Sequence, residues 1–356
     1  MAGATCARSL SDAGVDVCLF DKARGVGGRM ATRRVRWSDE AGVDHEVAFD
    51  HGAPGFSTHS AAFAKFVHES VQSGELVRWN PIMDSGSFAP LGGLEAWIAT
   101  PDMPALCRRL LEALPVALGQ AVDALHRTAS GWRVERQGET LGRDFTHVVL
   151  AMPPQQAARL LAAHRPDWAR RGFQQRMLPC WTLLGVADPP ADPPTWDVAW
   201  PSNGPLDWII RNERKPGRAP VDGRLNWVAH AKAAWSETHL ETPGDVVHAE
   251  LLCAVADFLG QVPSWRISQV HRWRYASVER PDACALEPFW FDDELGLGVC
   301  GDFLGGAGVE GAWTSGDALA ARIARACSVD RQASVGDAGA RISHQVDAIR
   351  SGALDA

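Results

Sequence analysis

The chain has 356 residues, 46% apolar and 22% charged, with 43 acidic against 35 basic side chains and a net charge of −8. That length allows a sizeable core and two domains, and the acidic balance excludes nucleic-acid binding driven by phosphate neutralisation. No apolar run of about 18 residues is present to span a membrane, and no basic stretch leads into an apolar one as in a signal peptide, so a cytoplasmic location is expected.

The first segment, "GATCARSLSDAG", predicts a helix with Ala4, Ala7 and Leu10 on one face and Gly14 as its stop. "VDVCLF" predicts a short apolar strand ending at Asp21, followed by the glycine-rich basic turn "DKARGVGGRM". "HEVAFDHGAPGF" reads as a strand running into a loop. "DMPALCRRLLEAL" reads as an amphipathic helix carrying Met103, Leu106, Leu110 and Leu114. "PVALGQAVDALHRT" and "GWRVERQG" read as strands around a turn at residues 129–131, and "FTHVVLAMPPQQAARLL" as a buried strand, a Pro-Pro break and a helix. From about 175 to 290, "CWTLLGVA", "LDWIIRN", "LNWVAHAK" and "SQVHRWRYA" alternate between Pro-rich loops, which predicts a mostly antiparallel sheet with the helix "DVVHAELLCAVADFLG" inserted. "LGLGVCGDFLGGAGVEGAWTSGDALAARIARA" returns to strand, glycine loop and helix. The residues from about 330 are polar and alanine-rich, a loose helix or a disordered tail.

The fold class expected is α/β: a Rossmann-like domain formed by 1–60, 100–155 and 291–329, a smaller α+β domain formed by 61–99 and 156–290, and a tail over 330–356. The eight cysteines (6, 18, 107, 180, 253, 284, 300 and 327) stand singly without a CxxC pair and read as small buried hydrophobes. The twelve histidines form no HxxxH pair, so no metal site is expected. Ten of the fifteen tryptophans fall between residues 156 and 290, either as core indoles or as flat walls for a planar substrate.

Three distant segments carry the chemistry. Gly3 suits the third glycine of a G-x-G-x-x-G loop, which lets a helix pack closely on a strand, and Asp21 suits the acidic residue that accepts ribose hydroxyls, with Lys22 beside it. An ordinary helix–turn–strand is the other reading of so short a match. In "RGVGGRMATRR", Gly28 lets backbone approach a ligand and Arg29 offers a forked donor to phosphate, with Met30 following. In "CGDFLGGAGVEGAWTSG", Gly301 and Asp302 end a buried strand, Asp302 is placed for a polyol hydroxyl, and the glycines feed a helix start with partial positive charge.

Taken in order, "DKARGVGGRMATRR", "FDHGAPGF", "PLGGLEAWI", "MPALCRRLLEAL", "GWRV", "HVVLAMPPQQ", "HRWRYASVERP" and "CGDFLGGAGVEGAWTSGDALAARI" resemble the renalase-like branch of the flavin-dependent amine oxidase superfamily over about residues 1–326. The resemblance implies non-covalent FAD across two domains and oxidation of dihydro isomers of NAD(P), with O2 as acceptor and hydrogen peroxide as product. It implies Asp21 at the adenosine ribose, Gly28 and Arg29 along the pyrophosphate, and the backbone of Val122 beside adenine. Met152 and Pro153 would mark the crossing between domains, Asp302 would bind the ribityl–pyrophosphate stretch, and Val309, Glu310 and Ala312 would face the flavin. Against the family pattern, the first strand and first two fingerprint glycines are absent ahead of Gly3, which is expected to weaken FAD binding. Pro54 stands where relatives commonly carry Gln.

A dihydropyridine is already a hydride donor, so no strong base is needed and no general base is assigned. Pocket candidates are His51, Trp208, Arg211, His230 and Trp273, although Arg211 also reads as a surface arginine and His230 as a core histidine. An amine oxidase is the competing enzyme: of the four lysines (22, 65, 215 and 232), Lys232 in a core strand is the candidate for a lysine near the flavin. A non-catalytic apo protein is the reading from another class.

Overall fold

The computed structural model describes residues 1–84, 96–219, 221–279 and 287–328. The expected tail, Cys284, and parts of the "PLGGLEAWI" and "VERP" motifs lie outside them.

Helix α1 (Ala2–Asp12) buries Ala4, Ala7 and Leu10 together with Ala2 and Cys6, and the chain turns at Gly14, whose φ of 74° suits a residue without Cβ. Strand β1 (Leu19–Asp21) takes only the end of its apolar run. A hairpin of β2 (Thr32–Ser38) and β3 (Asp44–Asp50) follows, then α2 (Ala61–Gln72), whose Ser60 side chain accepts from the Phe63 amide. Next come β4 (Leu76–Trp79), β5 (Ala96–Ala99) and α3 (Ala105–Leu110). Helix α3 is shorter than its periodicity predicts: Ala113 takes a left-handed φ of 63° before Leu114 is reached. The single strand expected over "PVALGQAVDALHRT" is two, β6 (Val116–Leu118) and β7 (Ala124–Thr128), because Gly119 at φ 69° turns the chain. β7 pairs with β8 (Gly131–Arg136) around a tight turn, and β8 with the short β9 (Glu139–Thr140). Strand β10 (Val148–Leu150), the Pro153–Pro154 start of α4 (Pro154–Leu161) and α5 (Pro166–Gln174) complete this part.

The predicted sheet then forms from β11 (Met177–Asp188), β12 (Val198–Ala199), β13 (Leu206–Arg211) and β14 (Leu225–Ala231), followed after α6 (Ala233–Thr238) and α7 (Gly244–Leu259) by β15 (Ser264–Val278). Its order is β12-β13-β14-β11-β15, antiparallel throughout. Strands β16 (Trp290–Asp292) and β17 (Leu297–Val299) lead into α8 (Asp302–Gly305) and α9 (308–328). Parallel pairing joins β1 to β6 and β10 to β17, with β16 antiparallel on β17.

The period of two decides what the large sheet does. One face presents Leu183, Trp227, Ala229 and Ile209 to Val247, Leu251 and Val255 of α7. The other presents Leu184, Val186, Val228 and Ile210 to a core with Met30, Phe49, Phe63 and Met103. This second face therefore looks toward the hairpin and the glycine turn after β1. Trp132, Trp168 and Trp290 serve a further core around β10, β17, α4 and α5, each burying an indole worth a few kcal/mol on the order of other large core side chains.

Candidate functional site

Ligands of parallel α/β sheets bind at the carboxyl ends of the strands, and three groups of the sequence candidates lie there. Asp21 ends β1, Met152 and Pro153 follow β10, and Gly301 and Asp302 follow β17. Leu150 and Val299 are paired, and the Cys300 amide donates to the Leu150 carbonyl at 3.1 Å, so the second and third of these sites are neighbours. Gly3 packs as a fingerprint glycine would: a Cβ there would stand 3.0 Å from that of Ala151. The Asp21 carboxylate accepts from the Ala23 amide at 2.9 Å, and Lys22 donates to Gln156 at 3.0 Å, just past Pro153. Val122 and Met152 pack on one core cluster.

The two glycine loops meet directly. Arg29 Nη1 and Nη2 donate to Asp302 Oδ2 and Oδ1 at 2.7 and 2.6 Å, a forked pair between residues 273 apart in sequence. Arg29 also donates to the Ala276 carbonyl of β15 at 3.3 Å. Gly28 (φ 54°), Gly306 (φ 100°) and Gly308 (φ 81°) each have open space where a Cβ would project, whereas Gly305 and Gly311 are locked backbone to backbone. The residues fit a bound dinucleotide such as FAD: the open glycines leave room for backbone donors to reach phosphate. Asp302 keeps acceptor capacity beyond its two bonds to Arg29. Met30 and Val309 are buried in one core and Ala312 in another. Glu310 reaches α2, accepting from the His59 and Ser60 amides at 2.8 and 2.7 Å. Burial, the largest influence, pushes its carboxyl up, but the bonds from Ser60 and His59 outweigh it and hold the group below its ordinary range.

Beside this cradle the large sheet contributes a lateral row. Trp208 of β13 pairs with His230 of β14, His230 with Thr182 of β11, and Thr182 with His271 of β15. Directly paired residues share a face, so these side chains stand together on the face turned to β3. His51, just past β3, meets them: its ring lies 4.7 Å from that of His271 and 5.0 Å from that of Trp273, whose Nε1 donates to the His51 carbonyl at 3.0 Å. Burial, reinforced by His271, Arg33 and His230, pushes the His51 imidazole down to about 3. Burial and then Lys215 push His230 down to about 4, and burial with Arg33 lowers His271. All three are neutral at physiological pH. His51 Nδ1 and His230 Nε2 are buried without a hydrogen-bond partner.

Under the histidines lies a charge cluster. Asp50 binds Lys215 at 3.3 Å and Arg218 at 2.7 Å, with Thr32 donating at 2.7 Å, and the three charged side chains are 0–4% exposed. Burial pulls Lys215 down to about 8 against the attraction of Asp50. For Asp50, burial is the largest influence and acts upward, but Lys215, Arg218 and Thr32 together hold the carboxyl below its ordinary range.

Of the sequence-predicted pocket residues, His51, Trp208, His230 and Trp273 are thus brought together, and Arg211 is not. It lies three residues from Trp208, pairs with Trp227, and donates to Glu213 at 2.9 Å on the opposite face. The lysine inference is also corrected. Lys232 is a surface residue donating to the Ser202 and Gly204 carbonyls, while the buried lysine is Lys215. Sequence reasoning missed Asp50, Lys215, Arg218, His271 and Arg33; of these only Asp50, adjacent to His51, and His271, two residues from Trp273, carried a signal. Among the described residues no group of three or more His, Cys, Asp or Glu could hold a metal ion. No helix among them is long and apolar enough to cross a membrane. Two open surface hollows, of about 430 and 490 Å³, are lined by none of the candidate residues.

The chain is a mixed α/β protein with a Rossmann-like part and a mostly antiparallel sheet, a fold it shares with solved oxidase structures. Residues 1–70 match the NAD(P)-binding Rossmann-like domain family. Among solved structures it is similar to a candidate protoporphyrinogen oxidase from Exiguobacterium sp. 255-15, with a TM-score of 0.69 at 10% identity over 91% of this chain and 96% of that one. It is similar also to cyclohexylamine oxidase from Brevibacterium oxydans IH-35A, with a TM-score of 0.66 at 12% identity over 92% and 97% of the two chains. Wild-type putrescine oxidase bound to putrescine follows, with a TM-score of 0.56 at 15% identity over 90% and 96%. Likeness at these identities defines the fold.

Proposed function

We propose that the protein is an FAD-dependent oxidoreductase that oxidises a small hydride donor at the expense of O2, with dihydro isomers of NAD(P) as the substrate class. The balance is dihydro-NAD(P) plus O2 plus a proton giving NAD(P)+ and hydrogen peroxide. FAD, when bound non-covalently, supplies the hydride acceptor. The chain's residues position and insulate. Asp21 and Lys22 with the backbone of Val122 hold the adenosine end, Gly3, Gly28 and Arg29 the pyrophosphate, and Gly301 and Asp302 the ribityl hydroxyls. Met30, Met152, Pro153, Val309, Glu310 and Ala312 wall the cofactor. Neutral His51 and His230, with Trp208 and Trp273, offer hydrogen bonds and flat apolar surface to the donor. In the discontinuous division, 1–60, 100–155 and 291–329 form the cofactor domain, which also lends His51 to the substrate side, and 61–99 and 156–290 form the substrate domain.

The observation that carries this reading is the Arg29–Asp302 pair, which unites two glycine loops from opposite ends of the chain. The test is direct: the purified protein shows a bound flavin spectrum and releases peroxide from dihydro-NAD(P) isomers. A protein that stays colourless when supplied with FAD overturns the reading in favour of a non-catalytic one. A second reading, oxidation of a primary amine or polyamine, is favoured by the buried Lys215 and by the names of two structural neighbours. Peroxide release from amines alone would establish it.

A further inference from the structure

Arg33 is an arginine that the sequence reading passed over. It lies in β2 opposite Phe49, which is 1% exposed and points into the core, so the Arg33 side chain leaves the hairpin on the same inward face. It is partly buried, and among the described residues no carboxylate lies within ion-pair distance of it, although its neighbours Arg34 and Arg36 both have one. Among the described residues its hydrogen-bond partner is His271, with Nη1 at 3.5 Å from Nδ1, a long and weak bond that leaves most of its five donors unused.

Its surroundings hold a net positive charge. Behind the histidines, Lys215 and Arg218 share the single carboxylate of Asp50. Adding Arg33 puts two permanent guanidinium cations and the ammonium of Lys215 against the carboxylate of Asp50, around a face whose His51 Nδ1 and His230 Nε2 are buried and unpartnered. A guanidinium at the edge of a low-dielectric face is a strong anchor for a carboxylate or phosphate and a barrier to a cation.

We infer that Arg33 is a specificity residue that binds an anionic group of the substrate, carboxylate or phosphate, and that this face turns away protonated amines. The inference rests on the reading of the histidine face as the substrate side, and it deepens that reading by naming the charge of the substrate. It does not need flavin for the contact itself, which allows the two to be tested apart.

The experiment is calorimetric titration of the full chain, supplied with FAD or stripped of it, with benzoate, inorganic phosphate and benzylammonium as probes. Wild type is expected to bind benzoate or phosphate and to give no binding heat with benzylammonium. Arg33→Gln is expected to weaken anion binding at least tenfold, Arg33→Lys to recover part of it, and both to keep FAD affinity within twofold. Benzylammonium bound as tightly as the anions overturns the inference on the wild type alone, even if Arg33→Gln fails to fold. Unchanged anion binding in Arg33→Gln also overturns it, as does a parallel loss of FAD affinity, since Arg33 would then serve the cofactor's phosphates. Arg33-dependent benzoate binding by a chain that takes up no flavin supports this inference while ending the flavin reading. A yellow protein that prefers benzylammonium does the reverse.

Discussion

Two of the molecule's arginine–carboxylate systems, the Arg29–Asp302 pair and the Asp50 cluster, are built for different ends. In the Arg29–Asp302 pair the carboxylate side chain is 4% exposed but the guanidinium is 32% exposed, flanked by glycines with open space above them. In the Asp50–Lys215–Arg218 cluster every member is sealed, at 1%, 0% and 4%. An exposed guanidinium can trade partners with an arriving phosphate for little desolvation cost, whereas a sealed cluster holds its geometry because any opening strands a charge in low dielectric. The first keeps a guanidinium within reach of solvent, and the second is a closed wall beneath the histidine row.

The largest expected effect breaks the sealed cluster. Asp50→Ala leaves Lys215 and Arg218 without a counter-charge and is expected to lower unfolding free energy by about 3–5 kcal/mol, read as a drop in the urea midpoint. In the open pair the loss falls on binding instead. Asp302→Ala is expected to weaken FAD at least tenfold, about 1.4 kcal/mol, while costing little stability because Arg29 remains partly solvated; flavin fluorescence released on dilution measures it. A midpoint loss in Asp302→Ala as large as in Asp50→Ala would erase the contrast.

Acid sharpens the comparison further. His51 and His230 are held at about 3 and about 4 when folded, below the ordinary histidine value of 6.5. The unfolded chain therefore binds more protons between those limits, and stability present above about pH 6.5 is lost as pH falls toward 4. Thermal melts of wild type across that window are expected to fall more steeply than those of His51→Gln. The smallest effect is at Lys232, whose surface contacts predict a change within about 0.5 kcal/mol for Lys232→Ala. No shift in substrate preference is expected there, in contrast to Lys215→Met.

The half that carries the open pair was legible because its signals are local. Glycine turns declare themselves within a few residues: Gly27 and Gly28 take φ values of 115° and 54° that favour glycine, and an acidic residue at a strand end needs no distant partner to be noticed. The alternation over 175–290 likewise foretold an antiparallel sheet. Hidden from a linear reading was the register between strands, which alone aligns Trp208, His230, Thr182 and His271. Arg211 could have been excluded earlier, since an odd spacing from Trp208 sends it through the sheet. Lys215 could not, because "NERKPG" reads as a solvated loop and only its fold against Trp79 and Asp50 buries it. The tight turn at Gly119 and the early end of α3 were missed because periodicity continues in the sequence where the backbone does not.

Thr182 sits at the centre of the lateral row, fully buried and hydrogen-bonded into strands on both sides. A change there would disturb both neighbours at once, while Trp208 and His271 at the two ends of the row can vary with less disruption of the ladder. Under the proposed function, retuning what this protein accepts, whether by descent or in the laboratory, should therefore proceed from the flanks of the row and leave its midline untouched.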